Sequence, residues 1–284
     1  MILRLVKILL YIAIFGALAT PLVVAPTVLT FISTFPQAVY FRLMVEVALI
    51  LWGILFFFKR VALPRLTLIL GATVVFFVVL TVASIFGFNP ARSFWGTLSR
   101  AEGLFTLLHF VVFFLILVSV LCTTKQWQWA LRTTALVSIP IGIVAILQTF
   151  GIFTLQGGGC GLEGCTRVNG TFSNTAYYGS YLTIIIFLAI FLAVSENRRI
   201  GQWLFGLLAL ANTVLLFMTG TRAGWVAVAA AGLFLGISWF SLLSKIAPKK
   251  RLIILGVFLI VSLILLGLYF YTGYFPSSEH TLLT

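Results

Sequence analysis

LTLILGATVVFFVVLTVASIF, residues Leu66–Phe86, is an apolar run without a charged side chain. A helix that crosses a membrane needs ~20 such residues, because the hydrocarbon core is about 30 Å thick and each residue rises about 1.5 Å. The whole chain has the same character: of its 284 residues, 62% are hydrophobic and 8% charged, and its mean hydropathy is +1.21. Soluble domains are about a quarter charged, so this composition excludes a water-soluble globule.

Comparable runs recur along the chain, so we predict one all-α polytopic membrane domain over residues 1–284 with about nine transmembrane helices. An apolar start ending near Ala17-Leu18-Ala19 also fits a cleavable signal peptide. An uncleaved first helix is favoured, because the apolar character continues through Pro21 and Pro26. The predicted spans lie near Leu5–Val24, Phe41–Phe58, Leu66–Phe86, Leu104–Cys122, Leu131–Phe150, Ala176–Val194, Gly201–Thr219, Trp225–Leu243 and Leu252–Tyr271.

The net charge of +13 is distributed unevenly between the two sides of the predicted bundle. Basic residues cluster in cytoplasmic loops, which predicts a cytoplasmic N-terminus and an extracytoplasmic C-terminus. The charge is thus mainly a topology signal, and no nucleic-acid partner is expected. The residues predicted to be cytoplasmic are Arg4, Lys7, Lys59, Arg60, Arg65, Lys125, Arg132, Arg198, Arg199, Lys245, Lys249, Lys250 and Arg251; the others are Arg42, Arg92, Arg100, Arg167 and Arg222.

The first long extracytoplasmic loop, residues 87–103, combines helix-breaking residues with aromatic and basic ones. Trp95 follows Phe94 and is flanked in sequence by Arg92 and Arg100. One interpretation is an anchor at the level of the lipid headgroups. The other is a lip that orients a lipid-linked anionic substrate.

The second extracytoplasmic loop, residues 151–175, contains Cys160, Cys165 and Arg167 in a Gly- and Asn-rich context. A disulfide between the two cysteines is possible, and it is favoured over a metal site because two cysteines without a nearby histidine supply half a zinc shell. Arg167 precedes a predicted helix, where backbone N–H groups and a guanidinium can hold a phosphate together. A solvated loop charge is the alternative.

A third feature is the short turn Thr219-Gly220-Thr221-Arg222-Ala223-Gly224-Trp225 between two spans. An arginine at the membrane boundary is costly unless it snorkels or has a partner. Arg222 is therefore interpreted either as a headgroup anchor or as the group that binds an anionic leaving group.

Isolated polar residues within the spans are interpreted as structural. Arg42 and Glu46 share a helix face and are expected to pair, and His109 is expected to be packed and hydrogen-bonded. Gln148 and Asn212 are predicted to join helices by hydrogen bonds. Cys122 is expected to be a free, buried thiol.

Together the three loop segments resemble the O-antigen ligase and O-antigen polymerase superfamily. The resemblance is carried by Asn89-Pro90-x-x-Ser93-Phe94-Trp95-Gly96 with Arg100-x-Glu102-Gly103-Leu104, by Arg167-Val168-Asn169-Gly170-Thr171-Phe172-x-Asn174, and by the Arg222 turn. It implies a metal-independent glycosyltransferase without cofactors in the bacterial cytoplasmic (inner) membrane. Its donor would be an undecaprenyl-diphosphate-linked glycan, and its acceptor a hydroxyl of a glycan, lipid A core or protein.

The resemblance implies that Arg222 and Arg167 are the catalytic residues, with Arg92, Trp95, Arg100 and Asn174 as substrate contacts. It also implies a further loop with a catalytic histidine after the ninth span. His280 comes too early to match it, so we expect the chain to be the N-terminal part of a longer protein and inactive alone. A polysaccharide polymerase, a protein O-oligosaccharyltransferase and a non-catalytic lipid or polysaccharide transporter are the alternatives.

Overall fold

The computed structural model describes residues 2–25, 34–64, 67–97, 100–152, 160–161, 164–165 and 167–242. Within these ranges the protein is all-α, apart from a 3-10 turn at Thr20–Leu22 and two antiparallel two-residue strands, β1 (Cys160–Gly161) and β2 (Gly164–Cys165). The helices are α1 (Ile2–Leu18), α2 (Thr34–Phe57), α3 (Leu68–Ile85), α4 (Pro90–Trp95), α5 (Leu104–Val120), α6 (Thr124–Thr149), α7 (Thr175–Ser195), α8 (Arg199–Met218) and α9 (Arg222–Leu242).

Each predicted span as far as Trp225–Leu243 coincides with one of these helices, and the span predicted at Leu252–Tyr271 lies outside the described residues. Among the residues that the structure describes, the helices long and apolar enough to cross a membrane are these five: Thr34–Phe57, Leu68–Ile85, Thr124–Thr149, Thr175–Ser195 and Arg199–Met218. The fold is thus that of an α-helical, membrane-type protein. The number of spans and their orientation stay predictions.

Residues 87–103, expected as a loop, contain the short helix α4. Asn89 caps it by accepting a hydrogen bond from the N–H of Arg92 at 3.0 Å, and Pro90 occupies its first turn. Gly96, with φ of +76°, ends it. A Cβ on Gly103 would lie 2.2 Å from the carbonyl oxygen of Phe94, so the two ends of this segment pack backbone against backbone.

The packed core forms two main groups of helices. In the first, α1, α2 and α5 meet through small buried residues such as Ala13, Ala17 and Ala48, which allow close helix approach. In the second, α6, α7 and α8 enclose the fully buried Tyr178 and Leu182. By contrast, Leu70 is the one buried residue of α3, as expected of a helix that largely faces lipid.

Polar contacts join the helix ends far from the loops described below. Arg132 near the start of α6 forms an ion pair of 2.6 Å with Glu196 after α7. Trp52 of α2 donates to the hydroxyl of Ser119 in α5 at 2.7 Å. Cys122 is a free thiol as predicted, but the expectation that it is buried is wrong: it is exposed, because α5 ends at Val120 and Cys122 lies in the following turn.

We expect close packing of α1 on α2 to make Ala48→Leu destabilising by about 1–3 kcal/mol, because Ala48 has no exposed surface and overpacking strains a filled core. The matched control is Gly53→Leu on the same helix, where an added Cβ meets nothing within 4 Å. Thermal unfolding of the purified protein in detergent measures both. Equal losses for the two variants would contradict this packing.

Candidate functional site

The turn that carries Arg222 is docked on the segment that carries Arg167. The Arg167 guanidinium donates from Nε to the carbonyl oxygen of Thr219 at 2.8 Å and from Nη2 to that of Gly220 at 3.2 Å. Alongside, the N–H of Val168 donates to the carbonyl of Met218 at 3.3 Å. The structure therefore brings these two predicted segments together, and the carbonyl oxygens of the turn orient Arg167.

Glycine makes this close approach possible at two positions. Gly220 has φ of +60°, a conformation that L side chains rarely adopt, and a Cβ there would lie 2.9 Å from Nε of Arg167. Gly179 of α7 lies against Thr221, whose hydroxyl donates to the carbonyl of Thr175 at 3.0 Å. The turn is thereby held on the start of α7.

Arg222 is the first residue of α9 and is exposed. The preceding Thr219 has no exposed surface, and its hydroxyl accepts a hydrogen bond from the N–H of Thr221 at 3.1 Å. The first N–H groups of a helix lack intrahelical acceptors and carry positive partial charge. A guanidinium at that position adds to a potential that favours anions.

Gln148, at the end of α6, shapes the segment before α7 and is fully buried. Its Oε1 accepts from the N–H groups of Asn169 at 3.1 Å and Gly170 at 3.0 Å, and its Nε2 donates to the carbonyl of Gly170 at 2.8 Å. The prediction that Gln148 joins helices is wrong, because its amide binds loop backbone instead. The prediction for Asn212 is confirmed: it donates to Ser138 of α6 at 3.2 Å.

Asn174 is the N-cap of α7, where its Oδ1 accepts from the N–H of Ala176 at 2.8 Å. This capping bond occupies the oxygen and orients the amide. Asn174 is exposed. The cap is a helix-start signal, and substrate contact by this residue stays a prediction.

Arg92 and Trp95 lie apart from the two docked loops, on α4, which packs on α3 and α5. Both are exposed. The Trp95 ring contacts the rings of Phe94 and Phe105, with centroid distances of 4.9 and 5.3 Å. The aromatic cluster agrees with the anchor interpretation of this segment, and no contact in the described part of the chain distinguishes it from a substrate lip.

Arg100 lines a cavity of about 510 Å³ between α1, α2 and α5. The wall nearest the Arg167 segment is held by hydrogen bonds. Gln37 donates to the carbonyl of Thr171 at 3.2 Å, and the hydroxyls of Thr34 and Ser173 lie 2.6 Å apart. Sequence analysis did not anticipate this cavity, because its walls come from helices distant in the chain.

Arg42 and Glu46 do not bond each other, which corrects the predicted pair. Arg42 donates to the carbonyl of Ala101 at 2.8 Å and to Thr106 at 3.1 Å, and its guanidinium lies 5.1 Å from the Phe105 ring centre. It thereby supports Ala101, whose φ of +53° costs about 1–3 kcal/mol in a residue other than glycine.

His109 is packed and hydrogen-bonded, as predicted. Its Nδ1 lies 2.7 Å from the carbonyl oxygen of Phe105 and its Nε2 lies 3.2 Å from Oε1 of Glu46. A carbonyl oxygen only accepts, so Nδ1 donates its hydrogen to Phe105. The contact of Nε2 with Glu46 joins α5 to α2.

The predicted disulfide falls on the two short strands, in which Cys160 and Cys165 are directly paired in register. Cα atoms paired across antiparallel strands lie ~4.5–5.5 Å apart, a distance that a disulfide spans. The bond itself stays a prediction. Among the described residues, no three His, Cys, Asp or Glu side chains come together in a way that could bind a metal ion.

Comparison with protein-family models, curated proteins and solved structures gives no match for the chain. Function must therefore be argued from the site alone, and the family resemblance stays a prediction.

Gln148→Leu is expected to destabilise the protein by about 2–4 kcal/mol, because it leaves buried backbone groups of Asn169 and Gly170 without partners. The control is Gln202→Leu, at an exposed position of α8 where the amide makes only a solvent-exposed hydrogen bond to the carbonyl of Glu196, with a change below about 0.5 kcal/mol. Thermal unfolding gives the stability, and trypsin cleavage after Arg167 reports release of the loop. Unchanged cleavage in Gln148→Leu would show that another contact holds the segment.

Proposed function

We propose that the protein is a multi-pass glycosyltransferase of the bacterial cytoplasmic membrane, similar to O-antigen ligases. It would move a glycan from undecaprenyl diphosphate, on the extracytoplasmic leaflet, to a hydroxyl acceptor. The proposal includes the N-in, C-out topology with about nine spans. The observation that carries it is the docking of the Arg167 segment on the turn that ends in Arg222.

This docking supplies what transfer from a lipid diphosphate requires of a protein. When the bond from the anomeric carbon to the diphosphate oxygen breaks, its electron pair leaves with the diphosphate, where negative charge grows. Prearranged cations and helix N–H groups stabilise such charge without reorganising at the moment of reaction. Arg222, exposed at the start of α9, combines both features.

We propose different roles for the two arginines. Arg167 donates hydrogen bonds from Nε and Nη2 to the carbonyl oxygens of Thr219 and Gly220. It therefore positions the turn and neutralises the carbonyl ends that would otherwise repel an anion. Arg222 is the group proposed to bind the diphosphate. Gln148 supports both indirectly, because it fixes the backbone two and three residues after Arg167.

The acceptor hydroxyl attacks the anomeric carbon and passes its proton to a general base. His109 does not suit this role: it is buried, and both of its ring nitrogens are engaged. His109 is therefore not proposed as the general base.

A non-catalytic transporter is the second candidate, and one observation favours it. Because α2 begins at Thr34 rather than at Phe41, Arg42 and Glu46 lie well within the helix rather than at its end. His109 is buried and Arg42 half-buried, whereas Glu46 is exposed. Ionisable groups within spanning helices are characteristic of proton and substrate pathways. Variants of Arg222 distinguish glycan transfer by an enzyme from transport without bond formation.

Arg222→Ala is expected to reduce glycan transfer by ~100-fold or more, the effect of removing a donor to a developing oxyanion. Arg222→Lys should also be impaired, because lysine keeps the charge but lacks the two-pronged guanidinium. The assay measures transfer from undecaprenyl diphosphate in membranes that contain the full-length protein.

The matched control is Arg199→Ala, since Arg199 is likewise the exposed first residue of a helix, α8, but lies away from the loops. It should retain transfer. Full activity in both Arg222 variants would mean that Arg222 is only a headgroup anchor, and it would overturn the proposal. Transport of lipid or polysaccharide without any bond formation would favour the transporter.

A further inference from the structure

We propose that one face of α2 is a docking surface for a transmembrane helix of another protein, and that this helix carries a lysine or arginine at the depth of Glu46. The surface includes neither Arg167 nor Arg222, so the inference does not depend on the proposed glycan transfer. It consists of residues of α2 that the rest of the bundle leaves uncovered.

Glu46 is an acidic residue in the middle of a helix that is long and apolar enough to cross a membrane. It lies 12 residues after the first residue of α2 and 11 before its last, so about 17 Å of helix separate it from either end. Its side chain is 52% exposed, and its Oε1 lies 3.2 Å from Nε2 of the buried His109. Within the described part of the chain, no contact engages its other oxygen, Oε2. An ionisable group at this depth is costly unless it has a partner, which makes Glu46 a candidate for function.

Glu46 belongs to an uncovered stripe that runs along α2. The members of the stripe recur at alternating steps of four and three residues, the spacing by which one face of a helix stays in contact with a neighbouring helix. Every member except Gly53 is exposed, and Ile50 and Phe57 are 65% and 80% exposed. The outer stripe of α2, as it is called below, consists of Val39, Leu43, Glu46, Ile50, Gly53 and Phe57.

The opposite face of α2 has similar spacing and is already occupied. Phe41, Val45, Ala48 and Leu55 are buried there, in the core that α2 shares with α1 and α5. The helix therefore has two faces patterned for helix packing, and the bundle covers one of them. On the uncovered face, a Cβ added at Gly53 would meet nothing within 4 Å, so a neighbouring backbone can approach closely there.

The charge of Glu46 decides which kind of helix fits the outer stripe. Two copies of this chain related by a twofold axis along the membrane normal would place one Glu46 carboxylate against the other. A second copy also lacks a free counter-charge in its described spanning helices: the arginines furthest from a helix end, Arg42 and Arg132, are bonded to Ala101 and Glu196. A helix of a different protein, with a basic residue at mid-span, supplies both the apolar contact and the opposite charge.

The experiment uses the full chain in phosphatidylcholine nanodiscs, and its probe is a synthetic single-span peptide of leucine and alanine with one lysine at its centre. A peptide with leucine in place of that lysine is the matched control. Energy transfer between labelled protein and labelled peptide measures the affinity. The lysine peptide should bind about tenfold more tightly than the leucine peptide, because a polar contact between helices in lipid adds to their packing.

Variants of Glu46 test the counter-charge. Glu46→Gln should remove the preference for the lysine peptide, because the side chain keeps its size and loses its charge. Glu46→Lys should transfer the preference to a peptide with a central glutamate. Unfolding curves establish that each variant is folded, and Glu46→Gln decides the question if the lysine variant is not.

Gly53→Leu tests the close approach while leaving the charge in place. It should weaken binding of the lysine peptide about tenfold, because the added side chain holds the two backbones apart. The matched control is Gly71→Leu on α3, where an added Cβ likewise meets nothing within 4 Å. The control variant should bind the peptide normally.

A photo-cross-linking residue at position 50 should capture the lysine peptide, whereas the same residue at Val75 on exposed α3 should not. Equal binding of the lysine and leucine peptides, or a preference that persists in Glu46→Gln, would overturn the proposal. Cross-links from position 50 to a second copy of the chain would overturn it as well, because they assign the stripe to self-association. Arg222→Ala should keep peptide binding, so the docking surface and glycan transfer are tested separately.

Discussion

The buried carboxamide of Gln148 is the contact on which the arrangement of the loops depends. It satisfies three backbone groups of Asn169 and Gly170 where no water is available. Unpaired backbone groups are most expensive in a bundle surrounded by lipid. With these groups satisfied, the segment before α7 takes one conformation, and Arg167 can reach the carbonyl oxygens of Thr219 and Gly220.

Further hydrogen bonds connect the segment before α7 to other helices of the bundle. Thr171 and Ser173 bond to Pro21 and Thr34, which joins the segment to the end of α1 and the start of α2. The cavity with Arg100 at its rim lies on the other side of that wall.

Two ionisable residues of α2 have partners that differ from those expected by helix spacing. Arg42 and Glu46 are four residues apart, yet Arg42 binds Ala101 and Glu46 faces His109. The carbonyl of the strained Ala101 and the ring of His109 are better-placed partners than a neighbour on the same helix, because Arg42 and Glu46 would have to bend toward each other to pair. In both cases the polar group is paired across elements, which links α5 to α2.

What the sequence by itself determined is the all-α membrane fold and the approximate position of each helix, because the bilayer requires long apolar runs such as Leu66–Phe86. It also indicated Arg167 and Arg222 as notable residues. Only the tertiary structure decided that their segments dock, that Gln148 binds a loop rather than a helix, and that α1, α2 and α5 enclose a cavity. Hydropathy indicates which single segments are buried in lipid. It does not indicate which residues become hydrogen-bond partners across 50 or more positions, as Arg167 and Thr219 do, because those partners depend on how the helices pack.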